Sequence, residues 1–232
     1  MTNRRQFVEG AMLASAAAMT LGQGAQAQVA TGPKPAYTAK PLPFDPKSIK
    51  GLSEKILVSH HDNNYAGAVR RLNAIAAQFA DLDVAKAPVF LVNGLKREEL
   101  IAMNSMILHE LYFDSLGAGG NPSGALADAI ARDFGSLDRW RAEFSAMGKA
   151  EGGGSGWVLL TYSPRDKRLV NQWAADHTNA VAGGRPILAL DMYEHSYHMD
   201  YGASAGGYVD AFMAAIRWDN AQTLFRQFSQ QA

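Results

Sequence analysis

The chain has 232 residues, of which 47% are hydrophobic and 19% are charged, and its formal net charge is zero. That balance argues against a nucleic-acid or other polyanionic partner, because such partners are bound through an excess of Lys and Arg. The sequence has no cysteine. Disulfides and thiolate ligands are therefore excluded, and any metal ion must be held by His, Asp or Glu side chains.

Residues 1–27 contain the three parts of an export signal. Arg4-Arg5 resembles a twin-arginine pair, Gly10–Leu21 is a short apolar run, and Ala25-Gln-Ala27 is a small-x-small cleavage site. The run is too short to span a bilayer as a helix. We expect a periplasmic or secreted protein that is exported folded by the twin-arginine route, with no membrane segment after cleavage. The alternative is a frayed helical tail with a chance arginine pair.

Residues 28–50 contain five of the nine prolines and lack a helical stripe. They predict a linker followed by an extended N-terminal arm. Apolar residues then recur at helical spacing from the predicted N-cap Ser53 to about Ala80. A second helix is predicted from Lys96 to Leu116, so residues 51–120 form a helical-hairpin domain. Two sets of side chains each share a helical stripe: His60, Asn64 and Ala68 on the first helix, and Ser105, His109 and Phe113 on the second.

Residues 121–232 mix helical and strand patterns and predict a C-terminal α+β domain. The fold class is therefore α+β: a long antiparallel helical hairpin followed by an α/β domain with a three-stranded antiparallel sheet. The predicted elements are helices 123–134 and 136–149, capped by Ser123 and Ser136, strands 157–162, 168–173 and 186–190, and helices 207–217 and 220–230.

Asp191 and His195 follow the third predicted strand and stand four residues apart. If a helix begins at Asp191, both side chains share one face, where a carboxylate and an imidazole can hold a transition metal. From the spacing alone, an N-cap aspartate and a buried structural histidine are the more frequent explanation.

Longer motifs point to a family. Asp191-Met-Tyr-Glu-His195-Ser-Tyr197, followed by Asp200-Tyr201 and Ile216-Arg-Trp218, resembles the C-terminal signature of the iron/manganese superoxide dismutases. Gly51–His61 resembles the first-ligand helix of that family, and Leu108–Phe113 resembles the second. The resemblance extends from about Leu42 to Trp218 and implies conversion of superoxide to O₂ and H₂O₂.

The resemblance implies that one iron or manganese ion per chain is bound by four ligands: His60, His109, Asp191 and His195. An alternative register of the first helix, aligned on Tyr65, would place Leu57 at the ligand position and destroy the site. A set of three histidines and one aspartate can also hold zinc. A different metal-dependent hydrolase or oxidase on the same fold, or a non-catalytic metal-binding dimer, therefore stays open.

Several positions beside the ligands depart from the family pattern. Asn64 replaces a histidine, Ala68 replaces a gateway tyrosine, Tyr193 replaces a tryptophan, Phe113 stands where tryptophan is frequent, and Ser105 stands where glycine or glutamine is usual. His177 resembles a residue that hydrogen-bonds metal-bound solvent, although a surface-loop histidine is the simpler alternative. Trp157 resembles a residue that lines the site.

The resemblance also implies a homodimer with both metal sites at the interface. Glu194 resembles the residue that bridges to the ligand histidine, here His195, of the other subunit. His198 stands where the family has a tyrosine that reaches across the dimer, so we expect it to hydrogen-bond Asn64 of the partner chain. For Glu194 the alternative is a solvated carboxylate at a helix start.

Overall fold

Two long helical segments form the first half of the molecule in the computed structural model, which describes residues 35–231. The predicted signal peptide and the first part of the predicted linker lie outside the described residues. The first segment consists of α1 (Glu54–Ser59), a π-helical turn (His60–Tyr65) and α2 (Ala66–Ala80). Ser53 is confirmed as the N-cap, because its side chain accepts a hydrogen bond from the backbone N–H of Ile56 at 3.2 Å.

The π-helical turn corrects the predicted uninterrupted stripe of His60, Asn64 and Ala68. A π-helical turn accommodates an additional residue, because its hydrogen bonds join residues five apart. As a result, His60 and Tyr65 are both buried, each at 1% exposure. Asn64 is only partly buried and lies on the other side of the turn from Tyr65.

The second long helix, α3, runs from Val89 to Asp114 and begins earlier than the predicted Lys96. Pro88 precedes it as the N-cap residue, which suits the fixed φ of proline. Val89 and Phe90 in its first turn are exposed, and the buried residues of the helix all lie between Ala102 and Phe113, so no apolar stripe marks its start. The connection between the long helices therefore spans residues 81–88.

Helices α4 (Gly124–Phe134) and α5 (Leu137–Ala150) agree closely with the prediction. Ser136 caps α5, since its Oγ accepts a hydrogen bond from the Arg139 backbone at 3.1 Å. Ser123 does not cap α4 through its side chain: its Oγ donates to Gln222 Oε1 at 2.8 Å instead. Both serines are N-cap residues, as predicted, but only Ser136 forms a side-chain hydrogen bond to its helix.

The sheet is three-stranded and antiparallel, as predicted. Strand β1 (Trp157–Ser163) is central, with β2 (Arg168–Ala174) on one side and β3 (Arg185–Asp191) on the other. The register pairs Trp157 with Asp191 across β1 and β3. It therefore places an aromatic ring and a carboxylate side by side at one end of the sheet.

Three helices and a short turn follow the sheet. They are a 3₁₀ turn (Glu194–Ser196), α6 (His198–Tyr201), α7 (Ala205–Ala215) and α8 (Asp219–Gln230). Asp191 is the last residue of β3 and His195 lies in the 3₁₀ turn, so no α-helix begins at Asp191. The argument from a shared helical face was wrong, although the two side chains do meet.

The main hydrophobic core includes residues from both halves of the chain. Leu108 and Leu111 of α3 belong to it together with Leu160 of β1, Leu188 of β3 and Phe212 of α7. The described residues form one compact unit, and the predicted domain boundary near residue 120 stays a prediction. Within residues 35–231, no helix combines the length and the apolar character needed to cross a bilayer.

Candidate metal centre

Four side chains from four separate elements converge between α3 and the end of the sheet. His60 opens the π-helical turn, His109 lies on α3, Asp191 ends β3, and His195 lies in the 3₁₀ turn. One donor atom from each lies within 4.8 Å of the other three. Asp191 Oδ2 is 3.1 Å from His60 Nε2, 3.2 Å from His195 Nε2 and 3.6 Å from His109 Nε2. The structure thus assembles the complete predicted ligand set.

The hydrogen bonds of His109 define which of its nitrogens carries the proton. Nδ1 lies 2.6 Å from the backbone carbonyl of Ser105, and a carbonyl can only accept, so Nδ1 is protonated. Nε2 of the neutral ring is then a bare lone pair. It is buried, has no hydrogen-bond partner among the described residues, and faces the Asp191 carboxylate. The lone pair and the carboxylate are both electron-rich and repel each other. A cation between them would bind both.

The protonation states suit a metal centre. Burial lowers the pKa of His109 to about 3 and also lowers the pKa of His60, so both imidazoles are neutral at neutral pH. Burial alone would raise the pKa of Asp191, but the charge of His195 and the hydrogen bonds from His195 and His60 hold it well below its ordinary value. A fully buried carboxylate needs a positive partner, and a cation held between Asp191 and the imidazoles would provide one.

Backbone and hydroxyl groups hold Asp191 in place. Its Oδ1 accepts a hydrogen bond from the backbone N–H of Tyr193 at 2.8 Å, which leaves Oδ2 facing the imidazoles. Its backbone carbonyl accepts hydrogen bonds from Tyr208 Oη at 2.7 Å and from Ser196 Oγ at 2.9 Å. Both the carboxylate and its strand end are therefore fixed before any metal binds.

Aromatic rings surround the histidines on their inner sides. The rings of Tyr112 and Phe113 lie 5.0 and 5.1 Å from the His60 ring, and Trp157 meets His109 edge-on at 5.3 Å. Phe113 and Trp157 were expected near the site and lie there. The rings exclude water from the inner face, which strengthens electrostatic interactions at the centre.

His177 lies beside the centre, with its ring 6.1 Å from that of His109. Trp157 Nε1 is 3.0 Å from His177 Nδ1 and can only donate, so Nδ1 accepts and the proton of the neutral ring is on Nε2. Burial lowers the pKa of His177 and favours this neutral form. Tyr193 stacks on His177 at 4.7 Å and on His195 at 5.3 Å, which joins the three rings in one column.

Three of the predicted neighbours form no side-chain hydrogen bond with the four ligand candidates within the described chain. Asn64 lies along a cavity next to Ala68 and His177. Glu194 and His198 are exposed on the surface near the 3₁₀ turn. His195 Nδ1 forms no hydrogen bond with residues 35–231, and the His195 side chain is 25% exposed. The roles assigned to Asn64, Glu194 and His198 across a dimer stay predictions.

Two residues of interest were missed from the sequence. Tyr65 was set aside because aligning the family's gateway tyrosine on it would place Leu57 at the ligand position, yet the π-helical turn brings its ring to 6.5 Å from the ring of His109. The signal available in the sequence was the five-residue spacing between His60 and Tyr65, which matches the hydrogen-bond spacing of a π-helical turn. Glu151, at the end of α5, is buried with both carboxylate oxygens unpartnered among the described residues, and no pattern in the sequence marks it.

Comparison with known proteins gives consistent results. The family profile described as iron/manganese superoxide dismutases, C-terminal domain, matches residues 122–224. The chain is 70% identical to an iron superoxide dismutase of Cupriavidus metallidurans, over 82% of this chain and 96% of that protein. It is 40% identical to a manganese superoxide dismutase of Halobacterium salinarum, again over 82% and 96%. An iron superoxide dismutase of Methanothermobacter thermautotrophicus is 34% identical over 80% of this chain and 91% of its own length. The chain belongs to the iron/manganese superoxide dismutase family.

Proposed function

We propose that His60, His109, Asp191 and His195 hold one iron or manganese ion, at which the protein disproportionates superoxide to O₂ and H₂O₂. The dismutase activity and the choice between these two metals follow from the family. The observation that supports this ligand set is the buried, unpartnered Nε2 of His109, which faces the Asp191 carboxylate 3.6 Å away.

A metal ion held by these four residues would supply the one-electron redox chemistry that disproportionation of superoxide requires. The protein residues do the remaining work. Asp191 contributes the negative charge that balances the cation, and its own position is held by the Tyr193 backbone and by Tyr208. Ser105 keeps the proton of His109 on Nδ1, so that Nε2 is always free to bind.

His177 is the residue placed to hold a proton next to the reacting anion. Its Nε2–H is available for donation because Trp157 occupies Nδ1, and the side chain lines the cavity that approaches the centre. The reduction of superoxide to H₂O₂ consumes protons, so a neutral imidazole donor at this position serves the reaction. Tyr193 keeps the His177 ring in its orientation by stacking on it.

We further propose iron as the native metal. The Cupriavidus metallidurans relative at 70% identity is an iron enzyme, whereas the manganese relatives compared have 40% identity or less. The test is to purify the chain with its native metal, to quantify iron, manganese and zinc, and to measure superoxide removal on the same sample. About one iron per chain with fast dismutation supports the proposal. Zinc, or full iron without dismutation, would favour a different metal-dependent enzyme.

The working form is proposed to be a homodimer in which Glu194 of each chain hydrogen-bonds His195 of the other. His195 Nδ1 has no partner within residues 35–231, and the His195 side chain is 25% exposed at a surface that also carries Glu194 and His198. Such a pairing is self-complementary, as two-fold symmetry requires. It would also fix the orientation of a metal ligand.

Residues 1–27 are proposed to direct export of the folded protein through the twin-arginine route to the periplasm or the medium. The support is the sequence pattern alone: Arg4-Arg5, the apolar run and the Ala25-Gln-Ala27 site. Cell fractionation tests it. The wild-type chain should appear outside the cytoplasm in a shortened form, and replacement of both arginines by lysine should retain the full-length chain in the cytoplasm. Equal export of both forms would contradict the proposal.

A further inference from the structure

A cavity of about 280 Å³ lies between α2 and α3, next to the metal centre. His177, whose ring lies 6.1 Å from that of His109, lines it, and so does Arg71 of α2. Residues that line it are Asn63, Asn64, Gly67, Ala68, Arg71, Ile101, Ala102, Ser105 and His177.

Small side chains on both helices create this space. Gly67 and Ala68 on α2 face Ala102 and Ser105 on α3, and three of these, Ala68, Ala102 and Ser105, are buried. At ~30 Å³ for each water molecule, the cavity has room for about nine waters. This is considerably more space than a diatomic anion needs, and it approaches the lower end of the range of small-molecule sites.

The polar groups in the cavity wall are the His177 and Ser105 side chains, the Arg71 guanidinium, and the amides of Asn63 and Asn64, which can donate as well as accept. His177 Nε2 carries a proton that no described residue accepts. His109 Nδ1 donates its proton to the Ser105 carbonyl, so it cannot accept a hydrogen bond from the Ser105 hydroxyl. The hydroxyl hydrogen is therefore available to a group in the cavity. Arg71 adds a positive charge, which it shares with Glu98 outside the cavity. No Asp or Glu lines the space, so its polarity favours an anion.

Part of the wall is aliphatic. Ala68, Ile101 and Ala102 present methyl groups and no hydrogen-bonding side chain. A ligand that suits this wall has a short hydrocarbon part as well as its negative charge. A small monocarboxylate has both features, because one end can accept hydrogen bonds from two donors while the other end contacts methyl groups.

We propose that this cavity binds a small monocarboxylate anion of the size of acetate or propionate, which occupies the approach to the metal centre. Its carboxylate accepts from His177 Nε2 and Ser105 Oγ, and its alkyl end contacts Ala68 and Ala102. One consequence of the inference rests on the proposed function: the bound carboxylate competes with superoxide and thereby inhibits dismutation. The binding event itself requires only the cavity and its donors.

The test is calorimetric titration of the metal-loaded full chain with acetate and propionate, with acetamide as the neutral analogue of the same size. Both acids should bind and acetamide should not. Ala68→Phe fills the cavity and should weaken acetate binding by about tenfold or more, which is ~1.4 kcal/mol. Ala74→Phe is the matched control, since Ala74 is exposed on the same helix and does not line the cavity.

A second pair of variants removes a charge and retains a polar amide side chain. Arg71→Gln should weaken acetate binding severalfold, whereas Arg70→Gln, one residue away and outside the cavity lining, should not. This pair is decisive if Ala68→Phe does not fold. The proposal is overturned if acetate and acetamide bind equally, if neither acid binds, or if Ala68→Phe and Arg71→Gln both bind acetate like the wild type.

The calorimetric result is separate from the result for the enzyme. A wild-type protein that removes superoxide but does not bind acetate would overturn this inference and leave the proposed function standing. Conversely, tight and variant-sensitive acetate binding to a protein that does not remove superoxide would support the cavity as a carboxylate site and contradict the proposed function.

Discussion

At the scale of single residues, neighbouring groups decide what each titratable side chain can do. His109 and His61 illustrate this within one region of the molecule. His109 has its Nδ1 proton held by the Ser105 carbonyl and its Nε2 left bare at the centre. His61 instead has both nitrogens near oxygens outside the centre, Lys40 O at 2.8 Å and Asp62 Oδ1 at 2.7 Å. The same side chain is thus a ligand candidate in one place and a surface hydrogen-bonding group in the other.

We therefore expect His109→Ala to lose its metal and its activity. Even the loss of a hydrogen-bonded neighbour of a ligand typically weakens metal binding by ~10–100-fold, and loss of the ligand itself should cost at least as much. Elemental analysis of the purified variant is the measurement. His61→Ala serves as the control and should retain about as much metal as the wild type. A His109→Ala protein with a full metal content would contradict the ligand assignment.

Glu151 leads to a pH-dependent prediction. Burial, followed by the nearby charge of Asp191, raises its pKa to about 8. Between its ordinary value near 4.5 and this value, the folded chain keeps the proton while the unfolded chain releases it. The free energy of unfolding should therefore decrease as pH rises through this interval, by an amount on the order of a few kcal/mol.

Urea unfolding of wild type and Glu151→Gln at several pH values in this interval tests the prediction. The amide cannot ionise, so the variant should gain stability relative to the wild type as pH rises. Glu143→Gln, at an exposed glutamate of α5, should show no such relative gain. If the difference between Glu151→Gln and wild type is constant with pH, Glu151 is not the source of the effect.

At the scale of secondary-structure elements, the π-helical turn His60–Tyr65 organises the first half of the site. It rotates Tyr65 towards α3, where its hydroxyl donates to Glu110 Oε1 at 3.0 Å and accepts from the Lys40 backbone N–H at 2.8 Å. These bonds connect the N-terminal arm, the π-helical turn and α3 at Glu110, the residue that follows His109. π-Helical turns are frequently found at functional sites.

Tyr65→Phe should consequently destabilise the protein by about 1–3 kcal/mol, because it leaves the partners of a buried hydroxyl without their hydrogen bonds. Metal content should change little, since the ring that packs near His109 is retained. Denaturant unfolding and elemental analysis measure the two effects. Tyr37→Phe is the control: only backbone atoms of Tyr37 form hydrogen bonds within the described chain, so this change should be close to neutral.

At the scale of the whole molecule, the metal centre is buried on its inner side and open near the 3₁₀ turn. His60, His109 and Asp191 are at most 1% exposed, whereas the His195 side chain is 25% exposed beside Glu194 and His198. A partner chain at this surface would complete the enclosure of the centre. Subunit association and metal retention are then expected to depend on the same residues.

Glu194→Ala should weaken the proposed dimer by about tenfold or more and increase metal loss. The physical reason is that one variant removes two symmetry-related charge-assisted hydrogen bonds from a single interface. Sedimentation velocity over a range of concentrations measures the association. Asp128→Ala, which removes an equal charge from an exposed position of α4, should leave it unchanged. A dimer of unchanged strength in Glu194→Ala would contradict the bridging role.

The sequence by itself determined the order of most elements and the identity of the four ligand candidates. Periodicity distinguishes helices from strands because side chains repeat every 3.6 residues in one and every two in the other. The four ligand candidates were found because they lie in motifs long enough to be specific, from Gly51–His61 to Asp191–Tyr201. Local patterns of this kind can be recognised in the sequence without knowledge of the fold.

Only the tertiary structure decided how those residues meet. The extra residue of the π-helical turn, the strand end that carries Asp191, the burial of Glu151 and the cavity beside Ala68 all depend on packing between segments distant in sequence. Asp191 and His195 meet through a strand end and a 3₁₀ turn, although their spacing favours a helix. Burial and hydrogen bonding between distant segments are properties of the assembled fold, and no local periodicity encodes them.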